Sequence, residues 1–291
     1  MISVACFRQY NQNKIKKLQR IGREKNAVKQ LDEKETLLLT VSSLFVFSSL
    51  EEVKEALEKD PSEEVVKLLC EIGVDLEQKD KDGKTALHLA VRGNKMIRCS
   101  NKFYANPRIV KVLLEYGARV HAKDCDGNTT LLKACGSGNL EVVQTLIQHH
   151  ADVHATGDSN KTPLHKACIG GHLEIVQELL KHKPNVNVIT KGEYKMTPLM
   201  FAAHFGSIEI VEELLKNGAN INISDPRYGT AMHLAIKCEQ IVKALMKNGC
   251  NTNVRARLTL NNVNLPDCTP FEMALDLNSI NIAKMIAYHE T

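Results

Sequence analysis

The residues best suited to chemistry in this 291-residue chain are a histidine and a cysteine three positions apart, with an aspartate a few residues upstream. His165, Cys168 and Asp158 suggest a nucleophilic site at first sight. Such a site also needs a partnered base and an oxyanion pocket, and the surrounding pattern provides neither. His88 and His233 follow a threonine at the same spacing as His165, which is typical of a structural position. The sequence therefore predicts no catalytic residue.

Three histidines of one loop, His149, His150 and His154, raise the question of a metal site. No cysteine or carboxylate accompanies them at ligand spacing, and a solvated loop is the favoured interpretation. A nucleotide site is not supported either, because no glycine-rich phosphate loop follows a strand. The sequence predicts no metal and no cofactor, and we expect a protein that is not an enzyme.

The elements that position these residues are clearest between residues 160 and 188, which we interpret as a turn, two helices and a loop. Thr162 and Pro163 are typical of a helix start, since the hydroxyl can cap the helix and proline is tolerated in the first turn. Gly170 and Gly171 end that helix, and apolar residues then recur at helical spacing. Helices this short cannot bury their apolar faces against each other alone, so the unit requires neighbours of its own kind.

Copies of this unit recur along the chain and align on the threonine that opens each first helix. The intervals between these threonines are 44, 33, 35, 33 and 39 residues. First helices begin with Thr-Ala-Leu-His at 85–88, Thr-Pro-Leu-His at 162–165 and Thr-Ala-Met-His at 230–233. A period of 33 with this motif is the signature of ankyrin repeats, and the chain resembles that family over roughly residues 62 to 287. The aligned threonines are Thr85, Thr129, Thr162, Thr197, Thr230 and Thr269.

The resemblance implies an all-α fold, an ankyrin-repeat solenoid of stacked helix-turn-helix units with short β-turn or hairpin loops. About six to seven repeats are expected, caps included. In that family the repeat histidine bonds to the backbone of a neighbouring turn. We predict a basic N-terminal segment at 1–30, and N-terminal helices with a capping repeat at 31–79. The repeats then occupy 80–291, start near 80, 124, 157, 192, 225 and 264, and end in a C-terminal cap.

Several departures from the repeat are expected to change the structure locally. Lys95–Asn106 separates two helices and is either a tolerated loop or an added binding segment. His149 and His150 replace the usual glycine at a helix end, which is less favourable for the left-handed conformation. Two residues are missing between the helices of the repeat that begins at Thr230, where we expect a local kink. A longer loop is predicted at Asn251–Cys268.

Composition bounds the cellular setting. The net charge of +4 is uneven, because residues 1–30 hold eight lysines and arginines against one glutamate. We interpret this basic segment as a solvated helix or tail, with an import signal, a nucleic-acid tether or a membrane-surface helix as alternatives. Nine cysteines without a Cys-x-x-Cys pair indicate reduced thiols in a cytosolic or nuclear protein. The most apolar run, Leu37–Leu50, has 14 residues and is too short to span a membrane.

Proteins of the family that the chain resembles bind other proteins through turn tips and the outward side of the first helices. Carried onto this sequence by position, the resemblance implies a partner-binding groove. Tyr194, Met196, Phe205 and Tyr228 are large and apolar where exposure is expected, and such residues often anchor interfaces, although Phe205 could instead fill a gap between repeats. The predicted set is Lys84, Arg92, Asn128, Lys161, Ile169, Tyr194, Met196, His204, Phe205, Arg227, Tyr228 and Lys237.

The same resemblance implies one modification. Asn187 and Asn222 lie eight residues after Leu179 and Leu214, the spacing seen in ankyrin loops that an oxygen-dependent asparaginyl hydroxylase modifies. The favoured alternative is that these asparagines form hydrogen bonds within the loop, where asparagine is common.

Taken together, these patterns predict a monomer of the cytoplasm, or of the nucleus, that binds a partner protein as a scaffold or adaptor. The alternatives are a nuclear regulator of a transcription factor, similar to the inhibitors of NF-kappa-B, and a substrate-recognition subunit of a ubiquitin ligase. Nucleic acid is expected to bind only through the basic segment, and salt would then weaken that binding steeply. No membrane span is predicted.

Overall fold

The structure is a computed structural model that describes residues 63–92, 106–192, 195–260 and 263–289. The basic segment 1–30, the predicted helices before residue 63, residues 95–105 of the insertion and Tyr194 lie outside the described residues. Two compact units are present, and each is described by itself. One comprises the chain up to Cys125 with Gln148–His150, and the other comprises Asp126–Ile147 with the chain from Ala151 onwards. The domain boundaries drawn from the sequence stay a prediction.

The described part of the first unit contains the helices α1 Glu63–Ile72, α2 Ala86–Arg92 and α3 Pro107–Glu115. Helix α3 packs against both α1 and α2, with Val110 and Leu113 buried. The side-chain oxygen of Asn106 caps α3 by accepting the backbone N–H of Arg108 at 3.1 Å. Pro107 lies in the first turn of the helix, where its missing N–H leaves no bond unmade.

A tight turn connects α1 to α2. The Asp80 carboxylate accepts the backbone N–H groups of Asp82 at 2.9 Å and Lys84 at 2.8 Å. Gly83 has φ +72°, and a Cβ at this position would meet the backbone nitrogen of Cys125 at 2.7 Å. Both the backbone conformation and the close approach require glycine.

The helices of the second unit form two rows. The first helices of its repeats are α4 Thr130–Ser137, α6 Pro163–Gly170, α8 Pro198–His204, α10 Ala231–Leu234 and α12 Pro270–Asp276. The second helices are α5 Leu140–Gln148, whose last residue belongs to the first unit, α7 Leu173–Lys181, α9 Ile208–Lys216, α11 Glu239–Lys247 and α13 Ile280–His289. Successive first helices pack side by side, and so do successive second helices from α7 onwards. Each first helix from α6 onwards also packs against the second helix that follows it.

The aligned threonines start the first helices, as the sequence predicts. The hydroxyl of Thr162 accepts the backbone N–H of His165 at 3.4 Å, and Thr197 caps α8 in the same way at 3.2 Å. Helix α6 ends at Gly171, whose φ of +69° is the left-handed conformation that glycine adopts without strain. The expected signals at both ends of the unit are therefore confirmed.

Repeated small and aliphatic side chains form the core of the second unit. At one position of successive first helices stand leucines, and three residues later stand alanines that let neighbouring helices approach closely. These fully buried residues are Leu131, Leu164, Leu199, Ala134, Ala167 and Ala202. The same leucine and alanine positions are therefore buried in successive first helices along the row. The predicted all-α ankyrin-type fold is confirmed.

Irregular repeats differ from the regular one in ways that the sequence predicted only in part. Helix α10 has four residues, whereas α6 has eight, so the repeat with two missing residues has a shorter first helix. The local kink expected in this repeat stays a prediction. His150 takes the left-handed conformation at a helix end, with φ +64°. A non-glycine residue in that conformation is strained, as expected from the missing glycine.

The predicted loop Asn251–Cys268 is largely a β-hairpin. Strand β1, Ala256–Leu260, pairs antiparallel with β2, Val263–Cys268, and the register shifts between Arg257 and Thr259. Strand β2 also contacts α12. A long insertion has many backbone groups to satisfy, and pairing its two arms satisfies them locally.

Candidate functional site

His165, the candidate base, is held in the capping structure of α6. The backbone N–H of Thr162 donates to Nδ1 at 3.1 Å, and the Thr162 hydroxyl lies 2.8 Å from the same nitrogen. Nδ1 is therefore the unprotonated nitrogen, and Nε2–H donates to the carbonyl of Met196 in the next repeat at 3.3 Å. His233 bonds in the same way to the carbonyl of Cys268 at 3.3 Å. The expected bond from the repeat histidine to a neighbouring turn is confirmed.

Both histidines are neutral. Burial lowers the pKa of His165 to about 4, because a charged ring would lose its hydration. Protonation of Nδ1 would also place a second donor against the N–H of Thr162. Burial lowers the pKa of His233 for the same reason. With each ring buried and each nitrogen engaged, neither histidine is available to a substrate as a base.

The other two members of the suggested nucleophilic site also have structural roles. Cys168 is buried, and burial raises the pKa of its thiol well above the usual value, so the thiol is protonated and unreactive. Asp158 lies exposed on a turn. Hydrogen bonds from the Ser159 hydroxyl and the Lys161 ammonium lower the pKa of its carboxyl group.

The turn tips that precede the first helices are joined by hydrogen bonds in which a backbone N–H of one tip donates to an oxygen of a neighbouring tip. The donor and acceptor residues are Asp158 with Asn128 (3.3 Å), Lys191 with Ser159 (2.7 Å) and Lys195 with Asp225 (2.9 Å). The tips of the second unit therefore form a continuous edge beside the row of first helices.

One side of the first-helix row remains accessible in four repeats, at the fourth and seventh residues after Thr129, Thr162, Thr197 and Thr230, whereas the equivalent Met273 on α12 is buried. In α6, only Lys166, Ile169 and the terminal Gly170 escape burial. Residues three apart lie on the same side of a helix, so these positions and the turn tips of the second unit make one surface, which we call the first-helix face. Its members at these positions are Lys133, Gly136, Lys166, Ile169, Phe201, His204 and Leu234 on the helices, and Lys237 in the turn after α10.

An aromatic group stands at the end of α8 on this face. Phe205 is 52% exposed, and its ring centroid lies 5.0 Å from that of His204, with the ring planes at 80°. Phe201 packs edge-on against the buried His165 at 5.9 Å. Because more than half of Phe205 contacts solvent, this side chain does not fill a gap between repeats.

Two predicted contact residues are buried, and the expectation that they are exposed is wrong. Met196 is 5% exposed, and its carbonyl accepts the bond from His165. The neighbouring Lys195 is exposed, whereas the backbone N–H of Met196 donates to the hydroxyl of Thr190 at 2.9 Å. Asn128 is 3% exposed and uses its side-chain oxygen to hold the next turn tip.

The remaining predicted residues of the second unit are at least partly accessible. Lys161 pairs with Asp158 at 3.2 Å, Ile169 is half-buried, and His204 and Lys237 are exposed. Arg227 and Tyr228 lie on a turn where both of their backbone N–H groups donate to one carboxylate oxygen, at 2.7 and 2.8 Å. Their role in binding stays a prediction.

Two residues of the predicted binding set, Lys84 and Arg92, belong to the first unit. Lys84 is half-buried and pairs with Asp82 at 2.7 Å. Arg92 ends α2, and its side chain lies outside the described part of the chain, as does all of Tyr194.

The candidate hydroxylation sites are engaged in the loops. Asn187 accepts the backbone N–H of Asn220 at 2.7 Å and donates to the carbonyl of Gly218 at 3.3 Å. Asn222 accepts the N–H of Asn251 at 2.8 Å. These bonds agree with the favoured alternative of hydrogen bonding within the loops, and hydroxylation stays a prediction.

Several accessible residues of the first-helix face were missed by sequence reasoning, namely Lys133, Lys166, Lys191, Lys195 and Phe201. A signal existed for those on helices. Lys166 and Phe201 lie three residues before Ile169 and His204, which were predicted, and that spacing places them on the same helix side. The tip lysines could not be identified in this way, because the tips differ in length.

The described ranges contain neither a candidate metal site nor a candidate membrane span. There, no group of three or more histidine, cysteine, aspartate or glutamate side chains is placed to hold a metal ion. Nor do these ranges contain a helix with the length and apolar character needed to cross a bilayer.

Comparison with known proteins identifies the repeats. A family model described as ankyrin repeats (3 copies) matches residues 53–157, 95–190, 150–225, 173–256 and 199–291. No curated protein matches the chain significantly. Ankyrin repeats are generally modules of protein-protein interaction, and the family is typically not enzymatic. Since the family model covers most of the sequence, and the capped helices and linking histidines repeat with the same period, the chain belongs to the ankyrin-repeat family.

Proposed function

We propose that this protein is a non-enzymatic scaffold or adaptor that binds a partner protein on its first-helix face. The observation that carries the proposal is the exposed pair His204 and Phe205 at the end of α8. The position equivalent to His204 is Ile169 on the packed neighbour α6, and Lys237 in the turn that follows α10. An exposed aromatic side chain is the kind of anchor that interface centres favour, while lysine is suited to the polar rim around it.

The anchor is also held in place before binding. The backbone N–H of Phe205 donates to the carbonyl of Phe201 at 2.9 Å, which fixes the end of α8. A rigid aromatic side chain loses little conformational freedom when a partner covers it. Complete burial of such a side chain contributes about 2 kcal/mol to binding.

The setting that we propose is the cytoplasm or nucleus, with the chain acting as a monomer. All seven described cysteines are free thiols, among them the exposed Cys125. Free thiols are typical of a reducing compartment. The non-enzymatic character is supported by His165 and Cys168, which are both buried and committed to the fold.

Affinity capture tests this proposal. The immobilised wild-type protein and a Phe205→Ala variant are compared for the proteins that they retain from a cell extract. We expect the variant to lose a wild-type partner by about tenfold or more, since loss of an anchor of about 2 kcal/mol has that effect. Adding Tyr194→Ala, which the family resemblance places on the same surface, should deepen the loss without lowering Tm.

The matched control is Leu275→Ala. Leu275, on α12, is 51% exposed, against 52% for Phe205, so the control removes an equally exposed apolar side chain from another element. It should retain the partner. Equal retention by wild type and Phe205→Ala, or equal loss from both variants, contradicts the assignment of the face.

A further inference from the structure

In the first four of the five repeats of the second unit, the two helix rows carry opposite net charge. The second helices α5, α7, α9 and α11 hold seven glutamates and four lysines. The turn tips and first helices, in segments 126–138, 156–170, 191–205 and 225–238, hold seven lysines and arginines and four acidic residues. The first-helix face is therefore basic over the repeats of α4, α6, α8 and α10, whereas α12 and the residues just before it carry Asp267, Glu272 and Asp276 and no lysine or arginine.

The fold already uses part of the negative charge on this face. Asp225 is buried and accepts backbone N–H groups from its own turn and from Lys195, and Asp158 pairs with Lys161. Lys191, Lys195 and Lys237, in contrast, are exposed. Among the residues that the structure describes, none of these three ammonium groups has a carboxylate within 4.0 Å. Positive charge thus remains available to an approaching molecule.

Charged and apolar residues at one position are also ordered along the row. The fourth residue after the threonine is Lys133 on α4 and Lys166 on α6, but Phe201 on α8 and Leu234 on α10. Because these helices pack in chain order, the apolar residues at this position stand side by side on α8 and α10, and the exposed Lys195 and Lys237 lie in the same two repeats. Phe205 adds its exposed ring to these apolar residues.

We propose that the partner segment bound by the first-helix face is an acidic peptide with an apolar anchor residue. Its anchor packs against Phe201 and Phe205, and its carboxylates lie against Lys195 and Lys237 of the same two repeats. This inference rests on the proposed function and adds the chemistry of the partner to it. Complementary charge steers association and fixes the register of the segment, while the anchor supplies most of the affinity.

A nucleic acid, the other common polyanion, fits this face less well. The four segments contain one arginine, Arg227, although arginine is the side chain that best matches phosphate geometry. Their excess of three positive charges is also small for a phosphate backbone, which is usually bound through many contacts. The apolar pair on α8 and α10, with Leu234 beside Phe201, offers aliphatic surface that an apolar peptide side chain can cover.

Selection from a display library of random short peptides tests the inference on the purified full-length chain. We expect enriched peptides to be net negative relative to the input library and to contain a leucine or an aromatic residue next to the acidic run. A synthetic copy of an enriched peptide should bind at least about tenfold more weakly when its acidic residues are replaced by glutamine. Enrichment of neutral or basic peptides, or no enrichment, overturns the inference.

Two charge-reversal variants locate the effect. Lys195→Glu with Lys237→Glu changes exposed residues of the face, and should weaken the same peptide by about tenfold or more. Lys247→Glu with Lys284→Glu makes an equal change in net charge on the second-helix row, and should leave the affinity within about twofold. Far-UV circular dichroism confirms that each protein is folded. Equal weakening by both pairs would assign the effect to net charge alone and overturn the site.

A labelled oligothymidylate serves as the alternative ligand. If it binds more tightly than the selected peptide and is lost in Lys195→Glu with Lys237→Glu, the face binds nucleic acid and the inference is wrong. Failure here is distinct from failure of the proposed function. If Phe205→Ala loses a protein partner but the selected peptides are neutral, the proposed function as a protein-binding scaffold is supported. The same result rejects the inference that the bound segment is acidic.

Discussion

Mild acid should destabilise this protein through His165. In the folded state Nδ1 accepts from Thr162 and Nε2–H donates to Met196, an arrangement that only the neutral ring can make. Burial lowers the folded-state pKa to about 4, against an ordinary value of 6.5 in the unfolded chain. The unfolded chain therefore takes up this proton first as the pH falls. The stabilisation is complete above pH 6.5 and is lost progressively between pH 6.5 and 4.

The size of the effect follows from the difference between the two pKa values. One pKa unit corresponds to about 1.4 kcal/mol, so the free energy of unfolding should decrease by about 3 kcal/mol in total over this range. That is a large fraction of the stability of an ordinary domain. His233 should act in the same direction, since burial lowers its pKa as well.

Urea unfolding of wild type and His165→Gln at several pH values isolates this contribution. At pH 7 the variant should be less stable, because it lacks the bonds that the ring makes. As the pH falls, the difference in free energy of unfolding should shrink by about 3 kcal/mol, since only the wild type loses the neutral ring. His154→Gln, at an exposed position, should stay parallel to the wild type. A difference between wild type and His165→Gln that is independent of pH would refute the buried neutral histidine.

Two further predictions concern the fold. Gly229→Ala should destabilise more than Gly218→Ala, although both glycines have positive φ, because a Cβ at Gly229 would meet the His233 ring at 2.6 Å whereas Gly218 has open space. Urea midpoints should show a cost of about 1 kcal/mol for Gly218→Ala and about twice that or more for Gly229→Ala, and equal costs would contradict the packing at His233. Iodoacetamide should label the exposed Cys125 in the native protein but Cys135 and Cys168 only after unfolding, because burial raises the pKa of both thiols. Peptide mass mapping reads out the order, and early labelling of Cys168 would place it outside the core.

The repeated elements could be predicted from the sequence because each copy supports the interpretation of the others. Thr162 alone is a weak helix signal, but threonines at a period near 33 fix the start of every first helix. Because His88 and His233 recur at the position of His165, the repeat also indicates that His165 is structural rather than catalytic, and Cys168 stands at a repeat position as well. Residues that recur at equivalent positions of the repeats have structural roles. The structure confirms the capping role of the threonine and the linking role of the histidine.

Local geometry at the turn tips was harder to predict. Met196 and Lys195 are neighbours, yet one is buried and the other exposed, and the hydrogen bond from the N–H of Met196 to the Thr190 hydroxyl could not be identified from the sequence. Asn128 was predicted to be a surface contact residue, but its side-chain oxygen accepts the backbone N–H of Asp158 in the next turn tip. The hairpin had a usable signal, since Asn261 and Asn262 separate two apolar runs in the sequence, a pattern that favours a turn between strands.

The charge pattern of the candidate face needed the structure. Lysines and glutamates alternate along the chain without an obvious block, and their separation appears only when the helices are sorted into two rows. The change from Lys133 and Lys166 to Phe201 and Leu234 likewise requires knowing that α4, α6, α8 and α10 pack in order. A sequence pattern identifies the type of repeat, whereas the exposed positions of neighbouring repeats together determine the surface.

Site-specific photocrosslinking tests the central claim, that the first-helix face binds the partner protein, most directly. A photoreactive residue is placed at His204, on the first-helix face, or at the exposed Glu212, on the second helix α9 of the same repeat. Each protein is then irradiated with the partner captured by the wild type. We predict crosslinks to the partner from position 204 and none from position 212. Crosslinks from position 212 and none from 204 would contradict the account.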